Sequence, residues 1–198
     1  AALTGNLRVA SGNSSASFGD GGAAGSVLFD SPEAENRTRV SYQQGAWGMQ
    51  GISLKTGYKQ PNHYLGLSLS GRQATNDYPY FDDIRSREER RRNNEFRNRH
   101  LMLSGGLKAG PLSYDSSLWL GAAQHHIAGS STNRNPQAVQ DDAFLRWSHH
   151  LRFNHAKTGF WQLSGLYDTY ELDYLDLPLV DSRSRLVRRM IRLTHRIA

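Results

Sequence analysis

Residues 143–154 read A-F-L-R-W-S-H-H-L-R-F-N. Leu145, Trp147, Leu151 and Phe153 fall on one parity, and Arg146, Ser148, His150, Arg152 and Asn154 fall on the other. Successive side chains of a strand point to opposite faces, so the stretch predicts a strand with one apolar and one charged face. A packed protein interior accepts mid-strand arginine poorly. A wide, hydrated lumen accepts it readily.

Working outward, the same alternation recurs. Trp161–Tyr170 and Val187–Ile197 follow it more loosely, with Arg188, Arg192 and Arg196 sharing a face with Met190 and Thr194. Upstream, Leu112–Ala123 sets Leu112, Tyr114, Leu118 and Leu120 against Ser113, Asp115, Ser117 and Gly121. His100–Lys108 sets Leu101, Leu103 and Leu107 against His100, Met102, Ser104, Gly106 and Lys108. His63–Ala74, Gln50–Tyr58 and Arg39–Gln44 complete about eight extended segments. Their connections alternate between short (45–50, 59–62, 109–111, 155–159) and long (76–98, 124–142). Only the first hairpin tip breaks that order. Short periplasmic turns opposite longer outer loops are a habit of outer-membrane barrels. Tyr58, Tyr64, Tyr78, Tyr80, Trp161 and Tyr170 lie near segment ends, as interfacial girdles require. The expected fold is therefore all-β: an antiparallel transmembrane β-barrel segment of about eight strands. A complete eight-stranded barrel with a structural or adhesion role, and a soluble β-sandwich binding anionic ligands, are the alternative readings.

Ahead of these segments stands Ser14–Pro32, S-S-A-S-F-G-D-G-G-A-A-G-S-V-L-F-D-S-P. Gly19, Gly21, Gly22 and Gly25 let backbones approach closely, and Val27–Phe29 reads as a short buried strand. Ser31–Thr38 reads as a linker, and residues 1–13 as irregular apart from Leu7 and Val9. This order resembles the TonB-dependent receptors of bacterial outer membranes. The plug domain of that family ends in Arg-Val, a small-residue run and a glycine cluster before a short strand. Here Arg8-Val9, Ser14–Ser17, Phe18–Gly25 and Ser26–Phe29 follow that sequence. Gly45-Ala46-Trp47-Gly48 is similar to the family's first hairpin tip, and Asn76–Tyr80 with Arg92-Asn93-Asn94 to a later stretch. Ser26 stands where a second glycine is usual, and Asp30-Ser31 where Thr-Lys is usual.

The resemblance implies a division into 1–36, the C-terminal part of a plug domain with its linker, and 37–198, the N-terminal part of a barrel. It also implies active uptake of a scarce ligand such as an iron–siderophore or cobalamin across a Gram-negative cell outer membrane. Energy would come from a TonB-type energy-transducing protein. Such transporters need about 22 strands around a plugged lumen. The rest of the wall is therefore expected from another chain or from the remainder of the barrel. Outer-membrane lipid and lipopolysaccharide would surround it.

Composition bounds the other readings. There are 24 lysines and arginines against 18 acidic residues, a net charge of +6. The excess is local, in Arg85–Arg99 and Arg183–Arg196, and no zinc-finger or helix-turn-helix pattern accompanies it, so nucleic acid is not an expected partner. Cysteine is absent. No apolar run is long enough for a membrane helix.

Residues with chemistry are few. His125-His126 and His149-His150 are adjacent pairs, and adjacent strand residues face opposite sides, so each pair offers one ligand at most. Asp82-Asp83, Glu88-Glu89 and Asp141-Asp142 lack a calcium-loop pattern. No nucleophile elbow is present, so neither catalysis nor a cofactor is expected. The ligand-contact candidates are Asn76, Asp77, Tyr78 and Tyr80, followed by Arg90, Arg91 and Arg92. Aromatic rings give flat apolar contact and arginine binds anionic oxygens bidentately, which suits a small-molecule metal chelate.

Overall fold

The structure, a computed structural model, describes residues 7–11, 25–29, 34–129, 137–155, 159–176 and 180–197, with side chains from residue 34 onward. The described residues are all-β, without a helix. β1 (Leu7–Ser11) and β2 (Gly25–Phe29) form an antiparallel pair in which Gly25 faces Ser11. Gly19, Gly21 and Gly22 lie outside the described residues.

The main body is one eight-stranded antiparallel sheet. Its members are β3 (Arg39–Gln44), β4 (Gln50–Lys59), β5 (His63–Ala74), β8 (Phe96–Ala109), β9 (Leu112–His126), β10 (Val139–His155), β11 (Gly159–Asp176) and β12 (Val180–Ile197). Between β5 and β8 stands a separate hairpin of β6 (Pro79–Asp82) and β7 (Arg87–Arg90). In the main sheet each strand pairs with its neighbour in the chain, and the β6–β7 hairpin is looped out between β5 and β8. Among the described residues β3 and β12 each pair on one side only, so the sheet has two open edges.

Turn chemistry explains the connections. Trp47 (φ 57) and Gly48 (φ 70) are both left-handed, with Met49 N–H donating to the Ala46 carbonyl at 3.1 Å, as in a type I′ hairpin turn. Gly110 (φ 56) before Pro111 provides the positive first position of the β8–β9 turn.

The longer strands extend past the expected bounds. β10 begins at Val139, β11 runs on to Asp176 and β12 starts at Val180. Their outer ends are polar on both faces (Gln140 with Asp141, Arg183 with Ser184), so alternation fades while ladder pairing continues. The stretch 76–98, read as a loop from sequence, contains the β6–β7 hairpin. Asp82 makes it possible: its carboxylate accepts the N–H groups of Ile84 (2.9 Å) and Arg85 (3.2 Å) inside the turn.

Register organises the two faces. Val40, Leu54, Leu69, Leu101, Leu120, Leu145, Thr169 and Val187 are successive partners from edge to edge. Thr56, Leu67, Leu103, Leu118, Trp147 and Tyr167 form the next row on that face, which ends in Arg189 lying 5.7 Å over the Tyr167 ring. Among the described residues no second layer covers this face: Leu65 is 61% exposed, Phe153 44% and Ile191 83%. Two pairs of its polar groups satisfy each other. Trp147 Nε1 donates to Ser116 Oγ at 3.2 Å, and the Tyr114 hydroxyl meets His149 Nδ1 at 2.6 Å.

The opposite face carries Arg39, Lys55, Arg72, Lys108, Arg146, Arg152, Arg188, Arg192 and Arg196, with Asp115, Asp142, Asp168 and Asp176 among its carboxylates. Asp168, 6% exposed, receives Arg146 Nε at 3.2 Å from one side and Arg188 Nη2 at 2.7 Å from the other. Asp115 accepts the Tyr64 hydroxyl at 2.9 Å. Across this face Gly57, Gly66, Ser104, Ser117 and Ser148 form a row of small residues. The chain leading into β3 lies over the start of that row. A Cβ at Gly57 would sit 2.9 Å from the Glu35 carbonyl oxygen, and one at Gly66 would sit 3.6 Å from the buried Ala34 Cβ. Asn36 fixes the strap by exchanging two hydrogen bonds with the Lys59 backbone, at 2.9 and 2.6 Å.

Candidate functional site

The expected ligand-contact residues come together, but mostly with one another. Asn76 takes a left-handed conformation (φ 53), and its side chain donates to the Asn94 carbonyl at 3.1 Å. Arg90 Nη1 donates to Asp77 Oδ2 at 2.9 Å, and the Arg91 guanidinium stands 5.8 Å over the Tyr80 ring. Arg91 N–H also donates to the Tyr78 carbonyl at 2.9 Å, so the hairpin is tied at its base. At the tip, Glu89 accepts from Arg87 Nη2 at 2.6 Å and from Arg85. Those hydrogen bonds, from Arg87 first and then Arg85, hold the Glu89 carboxyl below its usual range. Of the seven expected residues, Asn76, Asp77 and Arg90 are held by hydrogen bonds or an ion pair, Arg91 faces the Tyr80 ring, and Tyr78 and Arg92 have exposed side chains.

The first hairpin tip supports this loop. The Trp47 carbonyl accepts the N–H groups of Thr75 (3.1 Å) and Asn76 (3.0 Å) and the Thr75 hydroxyl (2.8 Å). The Trp47 and Tyr78 rings stand 6.3 Å apart. A tryptophan at positive φ is uncommon, and here three donors on one carbonyl hold it in place.

Just behind that tip, on the charged face, lies a concavity of about 210 Å³. Ser41, Gln43, Ser53, Ser70, Arg72, Asn98 and His100 line it. His100 also packs against Trp119 and Phe144, at ring distances of 6.3 and 6.0 Å. One guanidinium, two carboxamides and several hydroxyls suit an oxygen-rich, anionic ligand. Sequence reasoning missed this group. Alternation placed Ser41, Gln43, Ser53, Ser70, Arg72 and His100 on the polar parity and left Asn98 in a connection, and only the β3–β4–β5–β8 register gathers them.

The histidine pairs divide as strand geometry requires. His149 lies on the apolar face against Tyr114, while His150 lies on the other with Nδ1 3.1 Å from Ser164 Oγ. Among the described residues no three metal-ligating side chains converge. The chain matches no family model and no curated protein.

Proposed function

We propose that this chain forms part of the wall of a TonB-dependent outer-membrane receptor, a transporter for a scarce, anionic metal chelate or cobalamin-like ligand. The observation carrying this reading is the pairing of faces: aliphatic rows stand uncovered on one side, and an arginine-rich surface crossed by the incoming chain lies on the other. In lipid the first needs no cover, and in a plugged lumen the second stays hydrated. The strap over Gly57 and Gly66 enters from the side where the family's plug domain would stand. The 18-residue edge of β12 would be costly if left unpaired in hydrocarbon, at several kcal/mol for each unsatisfied backbone group. A further strand would pair there.

The polar concavity behind Trp47, together with exposed Tyr78 and Arg92 of the following loop, is the proposed ligand contact. No catalytic role or cofactor belongs to this reading. The test joins fractionation to uptake. The protein should leave the outer membrane only with detergent, and a strain lacking it should lose TonB-dependent accumulation of a labelled ferric chelate. Recovery in the aqueous fraction would favour the sandwich. A native mass matching one closed eight-stranded barrel would favour the structural role.

A further inference from the structure

Two histidines far apart in the chain meet on the aliphatic face. His155 ends β10, and His195 lies near the end of β12, two strands away. Register explains how they come together. His155, Gly159 and Ile197 form one row, and Phe153, Trp161 and His195 form the neighbouring one. Gly159 is the β11 residue between the two histidines, and it has no side chain to block the lane. Nor could it carry one: its φ is 147, and a Cβ there would collide with the Arg196 carbonyl oxygen.

Nε2 of His155 and Nε2 of His195 stand 3.2 Å apart, with the ring centroids 5.4 Å apart. Trp161 stacks on His195, 4.0 Å away with 12° between the planes, and so braces that ring. His195 is exposed and His155 half-buried, at the rim of the sheet beside the 155–159 turn. For the two nitrogens to touch, one must carry a proton and the other a lone pair. A metal cation can take the place of that proton. Two nitrogens bound tetrahedrally at about 2.0–2.1 Å stand roughly 3.3 Å apart, close to the spacing seen here. A slight tilt of each ring aims both lone pairs at one ion, and the displaced proton leaves to solvent. Imidazole suits copper, nickel and zinc, with copper(II) generally held most tightly.

We propose that His155 and His195 form a two-histidine site for a divalent late transition cation, with water completing its coordination. The bound ion ties β12, at an open edge of the sheet, to the far strand of the β10–β11 hairpin. The site requires neither the transport reading nor a particular cover over the aliphatic face, so it is tested apart from both.

The experiment titrates the purified full chain with Cu2+ at neutral pH, in a buffer that does not bind copper, and reads tryptophan fluorescence. Copper(II) quenches an indole at close range, and Trp161 lies against one of the two ligands. About one equivalent should quench saturably, and a chelator should reverse it. His155→Gln and His195→Gln should each weaken binding roughly tenfold or more, because one imidazole cannot chelate. Trp161→Phe should lose most of the quenching while still taking up copper in equilibrium dialysis. His149→Gln, beside Trp147 on the same face, should behave as the parent protein does. Zn2+ should compete with copper and raise the unfolding temperature of the parent chain but not of His195→Gln.

Equal copper affinity in either histidine variant would overturn the site, as would full quenching in Trp161→Phe. Loss of binding in His149→Gln would assign the copper to a different imidazole and overturn it equally. The zinc shift is read on the parent chain itself, so its absence would overturn the proposal even if a variant failed to fold.

Discussion

The two faces of the eight-stranded sheet are built from the same strands, residue by residue, yet they follow opposite rules. On one, leucine partners leucine across several strands, and none of the described residues forms a layer over them. On the other, arginines bracket Asp168 while Gly57 and Gly66 leave space for the chain that leads into β3. A soluble sheet would bury its leucines and expose its arginines. Here the aliphatic rows are the uncovered ones, and Asp168, Ser68, Ser104 and Ser164 are among the most buried residues. That inversion is the observation on which the proposed lipid-facing reading of the aliphatic face rests.

Substitutions that exchange the rules of the faces should cost most. Leu103→Arg, on the apolar face, should destabilise the protein in lipid bilayers by about 2–4 kcal/mol, read from denaturant unfolding in vesicles. A near-neutral result there would break the assignment of that face to lipid. Asp168→Asn removes the shared partner of Arg146 and Arg188, so a loss of about 1.5–3 kcal/mol is expected. Double-mutant cycles with Arg188→Gln should show strong coupling, and simple additivity would mean that the bridge is idle. Gly57→Val would drive a side chain against the Glu35 carbonyl, with an expected cost of about 1–3 kcal/mol. Cleavage near residue 34 by added protease should rise at the same time, whereas unchanged cleavage would show that the strap does not rest on that row.

The smallest effect concerns the outer hairpin. Its arginine partners lower the Glu89 pKa, so their contribution is complete above the pKa of the unfolded chain and fades as pH falls through the lower folded value. Amide protection of β6–β7 should hold from neutrality to about pH 5 and decline only below about pH 4. Glu89→Gln should abolish that acid-dependent step. A step that survives in Glu89→Gln would assign it to another carboxylate, with Asp82 the first to examine.

Strand character and facing were legible wherever a strand has one apolar and one polar face, because alternation then records both. Arg39–Gln44 and His63–Ala74 were bounded correctly from the sequence for that reason. The long-loop ends of the strands were not legible, since both of their faces carry polar residues. The β6–β7 hairpin was hidden for a different reason. Its stability comes from Asp82 capping a turn and from Arg–Glu pairs, neither of which has a periodic signature. Within the expected contact loop Arg90 is engaged by Asp77 and Arg91 by the Tyr80 ring, pairings that carry no periodic signal.

By itself the sequence determined an all-β chain of amphipathic strands, because a period of two sorts side chains by face whatever the strands pair with. Tertiary structure decided which residues meet. The Arg146–Asp168–Arg188 bridge, the concavity of Gln43, Arg72, Asn98 and His100, and the placing of Arg97 and Arg99 beside Gln124 and Ala122 all depend on register. Register is a relation between distant segments, fixed by turn geometry and by matching apolar rows, and no single stretch of the chain contains it.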